Sequence, residues 1–134
     1  TVWLAIDDST RENGCMRVVS DTHGHGFSDY EPVDAESHVF GLEIVPEQVD
    51  QARIVDLELC AGQCHIHHSK TIHGSDPNAS DRRRCGYTMR YMPASVKVLS
   101  DGPHAKHEVY LARGQDRAGN EYGDPMAPFV PVVG

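Results

Sequence analysis

Long apolar runs are missing from this sequence, and nothing in it approaches the length needed to cross a bilayer as a helix. Aromatics are scarce, with one Trp and three Phe. Basic residues are outnumbered, 12 against 20 acidic, for a net charge of −8. Phosphate neutralisation needs a basic face, so nucleic acid is not an expected partner, and neither is a membrane. Only four cysteines occur, at 15, 60, 64 and 85. They lack the paired spacing of a zinc finger and the density of a disulfide framework. They read as small buried hydrophobes in a reducing, cytoplasmic setting. An initiating Met is also absent. The chain opens on Thr1 already inside a strand pattern, which predicts a piece of a longer protein.

What is present is alternation with dense turn formers. The stretches "VWLAID" (2–7) and "CMRVVS" (15–20) read as strands joined by a polar turn. From His23 to His38 no period is visible and a long loop is expected. Pro46 opens a short predicted helix, "PEQVDQA", and "RIVDLEL" (53–59) alternates cleanly. Further strands are expected over "QCHIHH", "RRCGYTMRYM" (83–92) and "HEVYLA" (107–112), followed by a Gly- and Pro-rich irregular tail over 113–134. Short strands with almost no helix predict a β-sandwich or barrel.

The richest chemistry lies in "CHIHHSKTIHGSDPNAS" (64–80), where imidazoles crowd together. Neutral histidine is the commonest metal ligand near pH 7. If residues 62–92 form a hairpin turning at Asn78-Ala79, His73 and Arg84 are cross-strand partners. A metal ligand beside a guanidinium could hold a small diacid by both ends, with the Ser75 hydroxyl assisting. The alternative is a solvated sheet face with exposed histidines. Strand parity places His65 and His67 on such a face, and loop position makes His23 and His25 ordinary exposed residues.

The stretch "HHSKTIHGSDPNASDRRR" resembles a signature of the phytanoyl-CoA dioxygenase family, H-x4-H-G-S with a turn Asn and then an Arg eleven positions past the second His. "VWLAIDDSTRENGCMRVVSDTH" (2–23) resembles the family's W-x-A-x-D-D-x4-N-G-C strand pair, and "ARGQDRAGNEYGDP" (112–125) resembles a segment of bacterial members. The resemblance implies a mainly β, incomplete double-stranded β-helix of the jelly-roll or cupin type, with residues 1–134 forming the C-terminal portion of one oxygenase domain. It implies an Fe(II)- and 2-oxoglutarate-dependent dioxygenase that consumes O2 and hydroxylates a small organic substrate. Carried over by position, His73 matches the distal iron ligand, and Arg84 and Ser75 match the anchor of the co-substrate's remote carboxylate. Trp3 matches an aromatic of that pocket. His68 fits the first His of H-x4-H, as a support of the site or the sheet. Arg90, sharing parity with Arg84, either meets an anionic substrate group or pairs with an acidic neighbour. Asn13 matches a loop position without an assigned role.

The pattern also has a gap. None of the nine histidines is followed two residues later by Asp or Glu, so the H-x-D/E half of a 2-His-1-carboxylate triad is not in this sequence. Those ligands are expected upstream of Thr1. Gly62-Gln63 replaces the family's Gly-Asp, and "SDTH" (20–23) replaces P-G-S-H. The competing readings are a non-enzymatic β module that binds a small anion or metal, and a purely structural domain.

Overall fold

The computed structural model describes residues 1–34, 36, 40–99, 101 and 108–127. Its strands are β1 (Val2–Ala5), β2 (Met16–Val19), β3 (Tyr30–Pro32), β4 (Leu42–Ile44), β5 (Ile54–Leu57), β6 (Cys64–Ile66), β7 (His73–Ser75) and β8 (Gly86–Met89). The chain divides into two units, Thr1–Arg90 and Tyr91–Gly134, and all of these strands lie in the first.

Strands in the first unit pair with partners distant in sequence. One antiparallel sheet has the order β6-β1-β8 and another the order β5-β2-β7, while β3 and β4 form a separate ribbon. From β5 onward each strand joins the sheet opposite to the one before it, and β1 and β2 likewise part company. This alternation is the arrangement of a double-stranded β-helix, open rather than closed into a barrel. The expected fold class is therefore met. Trp3, Ala5, Cys15 and Val19 form the buried apolar core, with the polar side chains of Ser9, Asn13 and Thr22 buried among them.

Several local expectations are corrected. Residues 62–92 are not a hairpin: β7 pairs with β2 and β8 with β1, so His73 and Arg84 are not cross-strand partners. The connection of Asp76–Cys85 crosses from one sheet to the other, a geometry that residue spacing alone does not distinguish from a reversal. The loop expected from His23 contains a 3₁₀ turn at its start and β3, whose exposed residues leave no apolar alternation to read. Within that loop, residues 35 and 37–39 lie outside the described residues. "PEQVDQA" forms two 3₁₀ turns, Pro46–Gln48 and Gln51–Arg53. Asp50 breaks them apart, because its carboxylate accepts from Ala52 N at 3.0 Å and offers the backbone a local alternative to a continuous helix. Cys15 is buried, but Cys60 and Cys64 are exposed.

In the second unit, Glu108–Ala112 forms no strand, and His107 lies outside the described residues. The organising residue there is Asp116. Its carboxylate accepts from Ala118 N, Gly119 N, Asn120 N and the Tyr122 hydroxyl. Asn120 extends this turn to the neighbouring segment, accepting from Val98 N and donating to Val96 O, both at 2.9 Å.

Candidate active site

Two acidic residues that follow β1 fix the approach to β8. Asp7 takes a bidentate grip on Arg83, with both N···O distances at 2.8 Å, and also accepts from Cys85 N at 2.9 Å. The Arg83 hydrogen bonds, then the Cys85 amide, hold the Asp7 carboxyl below its ordinary pKa. Asp8 accepts from Ala61 N at 2.8 Å and so secures the turn before β6. Asn13, buried, accepts from Thr10 N and donates to Asp8 O, each at 2.7 Å. Gly14 has φ +77°, and a Cβ there would lie 2.5 Å from Asp76 O, so the close approach of residues 76–78 demands glycine. The motif that carried the family resemblance is thus largely scaffold, clamping three turns together.

With Arg83 drawn to Asp7, Arg84 is left to face the other way. Its guanidinium carbon stands 5.9 Å from the centre of the Trp3 ring. Arg11, Arg17, Arg53, Arg82 and Arg83 each meet a carboxylate. Arg84 has no such partner among the described residues. The Trp3 indole lies against Gly86, where a Cβ would come within 2.1 Å of Cζ2.

On the other sheet, His73 pairs with Val18 and Ser75 with Met16, so both side chains leave β7 on one face. His73 Nδ1 lies 2.7 Å from Thr71 O. A carbonyl only accepts, so Nδ1 carries a proton, and in the neutral ring the lone pair is on Nε2. Thr22 secures this segment: its hydroxyl donates to Val19 O at 2.8 Å and accepts from Ile72 N at 2.9 Å. Sequence reasoning missed Thr22, because no local pattern announces a tertiary hydrogen bond.

A row of rings connects the two ends. Trp3 meets His65 edge-on at 5.6 Å, His65 lies 5.2 Å from His67, and His67 lies 4.9 Å from His73. The expectation that His65 and His67 are solvated is therefore corrected. Both ring nitrogens of His65 and Nδ1 of His67 are shut off from solvent without a hydrogen-bond partner. Burial, then the neighbouring His73, lowers the pKa of both, and that of His67 falls to about 4. His65 is in register with the buried Trp3, so its face of β6 is the inward one, and His67 follows it past the strand's end at Ile66. His68 is exposed, with its ring 6.0 Å from His23 and its Nδ1 accepting from Lys70 N. Arg90 is exposed and pairs with no acidic neighbour among the described residues.

The His73 tautomer suits a metal ligand whose other nitrogen is pinned by the protein. Among the described residues, however, no three His, Cys, Asp or Glu side chains converge to hold a metal ion. No helix of the described residues is long and apolar enough to cross a membrane.

Comparison with known proteins agrees with this geometry. The sequence model of the phytanoyl-CoA dioxygenase (PhyH) family matches residues 1–86. A phytanoyl-CoA dioxygenase domain-containing protein 1 homolog of Dictyostelium discoideum is 30% identical over 101 residues, 73% of this chain and 36% of that protein. A probable alpha-ketoglutarate-dependent hypophosphite dioxygenase of Stutzerimonas stutzeri is 25% identical over 118 residues, covering 86% of this chain and 41% of that protein. Among solved structures, EvdO2 of Micromonospora carbonacea var. aurantiaca in complex with 2-oxoglutarate superposes with a TM-score of 0.54 at 26% identity. That match covers 62% of this chain and 33% of EvdO2. The non-heme monooxygenase ThoJ gives a TM-score of 0.52 at 38% identity, over 63% of this chain and 29% of ThoJ. The chain spans about a third of the length of the first curated relatives it matches. From the match over its first 86 residues and the open jelly roll they build, the chain belongs to the phytanoyl-CoA dioxygenase family of iron- and 2-oxoglutarate-dependent dioxygenases.

Proposed function

We propose that this chain supplies the distal iron ligand and the co-substrate anchor of an Fe(II)- and 2-oxoglutarate-dependent dioxygenase that hydroxylates a small organic substrate. The observation that carries the reading is Arg84, a guanidinium against Trp3 with no carboxylate partner among the described residues of an acidic chain. A fork of this kind grips a carboxylate with two charge-assisted hydrogen bonds.

In this reading Arg84 holds the remote carboxylate of 2-oxoglutarate, Ser75 adds its hydroxyl, and Trp3 forms the wall that excludes water. His73 offers Nε2 to the metal while Thr71 O fixes its ring. His68 and Arg90 sit at the pocket's margin. Iron(II) bound there would supply oxygen activation coupled to conversion of 2-oxoglutarate to succinate and carbon dioxide. The remaining two ligands come from an H-x-D/E segment outside these 134 residues, and residues 1–134 form the C-terminal portion of that one oxygenase domain. β7 is a terminal strand of its sheet among the described residues, so a further strand can pair beside His73.

A second reading, a non-enzymatic module that binds a small anion or metal, draws on the lack of a three-ligand group among the described residues. Succinate formation by the full-length protein separates the two. Succinate that requires both Fe(II) and O2 is the expected result. A full-length protein that forms none while still binding an anion would replace the first reading with the second.

A further inference from the structure

The two sheets differ in what they turn outward. In β5-β2-β7, Arg17 and Asp56 lie on the face away from His73, and they pair with each other and with Asp76 and Arg11. In β6-β1-β8 the inward face carries Trp3 and Ala5, both buried. Their chain neighbours Val2 and Leu4 therefore face outward. The register sets Ile66 and Met89 beside Val2, and Cys64 and Tyr87 beside Leu4. Two rows of three apolar side chains thus cross this sheet, Ile66-Val2-Met89 and Cys64-Leu4-Tyr87.

Neither row holds a charged residue, in a chain where 24% of residues are charged. Ile66 is 76% exposed and Tyr87 59%, and Cys64 is exposed as well. A lone apolar residue at a surface is ordinary, but a contiguous apolar patch across a sheet marks a face that something covers. The apolar side of a sheet is buried against a second layer in a stable domain, and Ile66 and Tyr87 are uncovered among the described residues.

Two observations indicate the cover. The matched stretch is 36% of the Dictyostelium discoideum relative, so most of that protein lies outside it. Thr1, in turn, sits at the edge of the patch. Its N donates to His67 O and its O accepts from His67 N, both at 3.0 Å, and the next residue, Val2, is the centre of the first row. Chain that precedes Thr1 therefore arrives beside Ile66 and Met89. We propose that the segment preceding Thr1 in the full-length protein folds back over the β6-β1-β8 sheet and buries Ile66, Cys64 and Tyr87 under apolar side chains of its own. The proposal rests on the reading that this chain is the C-terminal portion of a longer one, and not on the iron chemistry.

The test uses the full-length protein with Tyr87 replaced by the photo-reactive p-benzoylphenylalanine, which keeps an aromatic ring on this face. After irradiation, peptide mass spectrometry should find that position joined to a peptide N-terminal to Thr1, in a yield that dilution does not change. In unsubstituted full-length protein, Cys64 should react with iodoacetamide at least about tenfold more slowly than in the urea-unfolded protein, as a thiol that only opening of the structure exposes. Cross-linking to residues 91–134 would overturn the proposal, as would cross-linking to a second copy in a yield that falls on dilution. Equal reactivity of Cys64 in native and unfolded protein would overturn it too, because the face would then be open. Succinate formation is read on the same unsubstituted protein. A cross-link upstream of Thr1 without succinate would sink the oxygenase reading and leave the covered face standing.

Discussion

Asp7 and Arg83 lock side chain to side chain, and that lock turns the next residue, Arg84, toward Trp3. The Asp7 carboxyl has a folded pKa below its ordinary 3.8. Its contribution to stability is therefore complete above that ordinary value and is lost as pH falls from there through the lower folded value. Asp7→Asn should lower the melting temperature at neutral pH, and the gap from wild type should close in acid. Thermal melts across pH 2–7 check this, and a gap that stays constant through the acid range would contradict it.

Arg84→Ala should weaken 2-oxoglutarate binding by about 2–5 kcal/mol, roughly thirtyfold to several thousandfold. Arg84→Lys should recover only part, because a point charge replaces a planar fork. Calorimetry on the full-length protein reads both, and equal affinity in wild type and Arg84→Ala would remove the anchor role.

Gly86→Ala tests the indole contact. The added Cβ would overlap Trp3, at 2.1 Å from Cζ2 and 2.3 Å from Cε2. Overpacking of this kind costs about 1–3 kcal/mol. A lower melting temperature together with weaker 2-oxoglutarate binding is expected. An unchanged melt would mean that Trp3 can move aside without cost.

Thr22→Val keeps the branched shape but leaves the Ile72 N–H without its acceptor. A loss of about 1–3 kcal/mol is expected from chemical denaturation. Because Ile72 directly precedes His73, iron affinity of the full-length protein should fall as well. Wild-type iron affinity in this variant would show that His73 is positioned without Thr22.

His73→Ala in the full-length protein should abolish iron-dependent succinate formation while leaving the fold intact, since the residue is exposed on a terminal strand. Paired measurements of succinate and circular dichroism check it. Sustained turnover would move the ligand assignment to another histidine.

Much of this was legible in the sequence because it rests on local chemistry. Alternation marked β1, β2 and β5, and "HGS" with its later Arg pointed to the family. Sheet membership was not legible. Period-2 patterning gives a strand two faces but says nothing of which sheet receives it, so Gly62–Met92 read as a hairpin when it crosses the molecule. The same gap misplaced His65 and His67: polar residues on a strand read as solvated unless the interior they face is itself a site. Asn13 was visible as a motif position, yet its role in knitting the turn that Gly14 closes emerges only from hydrogen bonds.

The sheet order also bears on how the chain is made. Among the described residues, β1 has no ladder partner until β6 exists, and β2 none until β5 exists. During synthesis, then, β2 leaves the ribosome about 35 residues or more ahead of β5, and β1 about 60 ahead of β6, with Trp3 and Val19 not yet covered by these partners. Long-range pairing of this kind makes folding slow and exposes the nascent chain to aggregation. The topology thus leaves β1 and β2 as apolar segments that stay uncovered by β5–β8 for longest during synthesis.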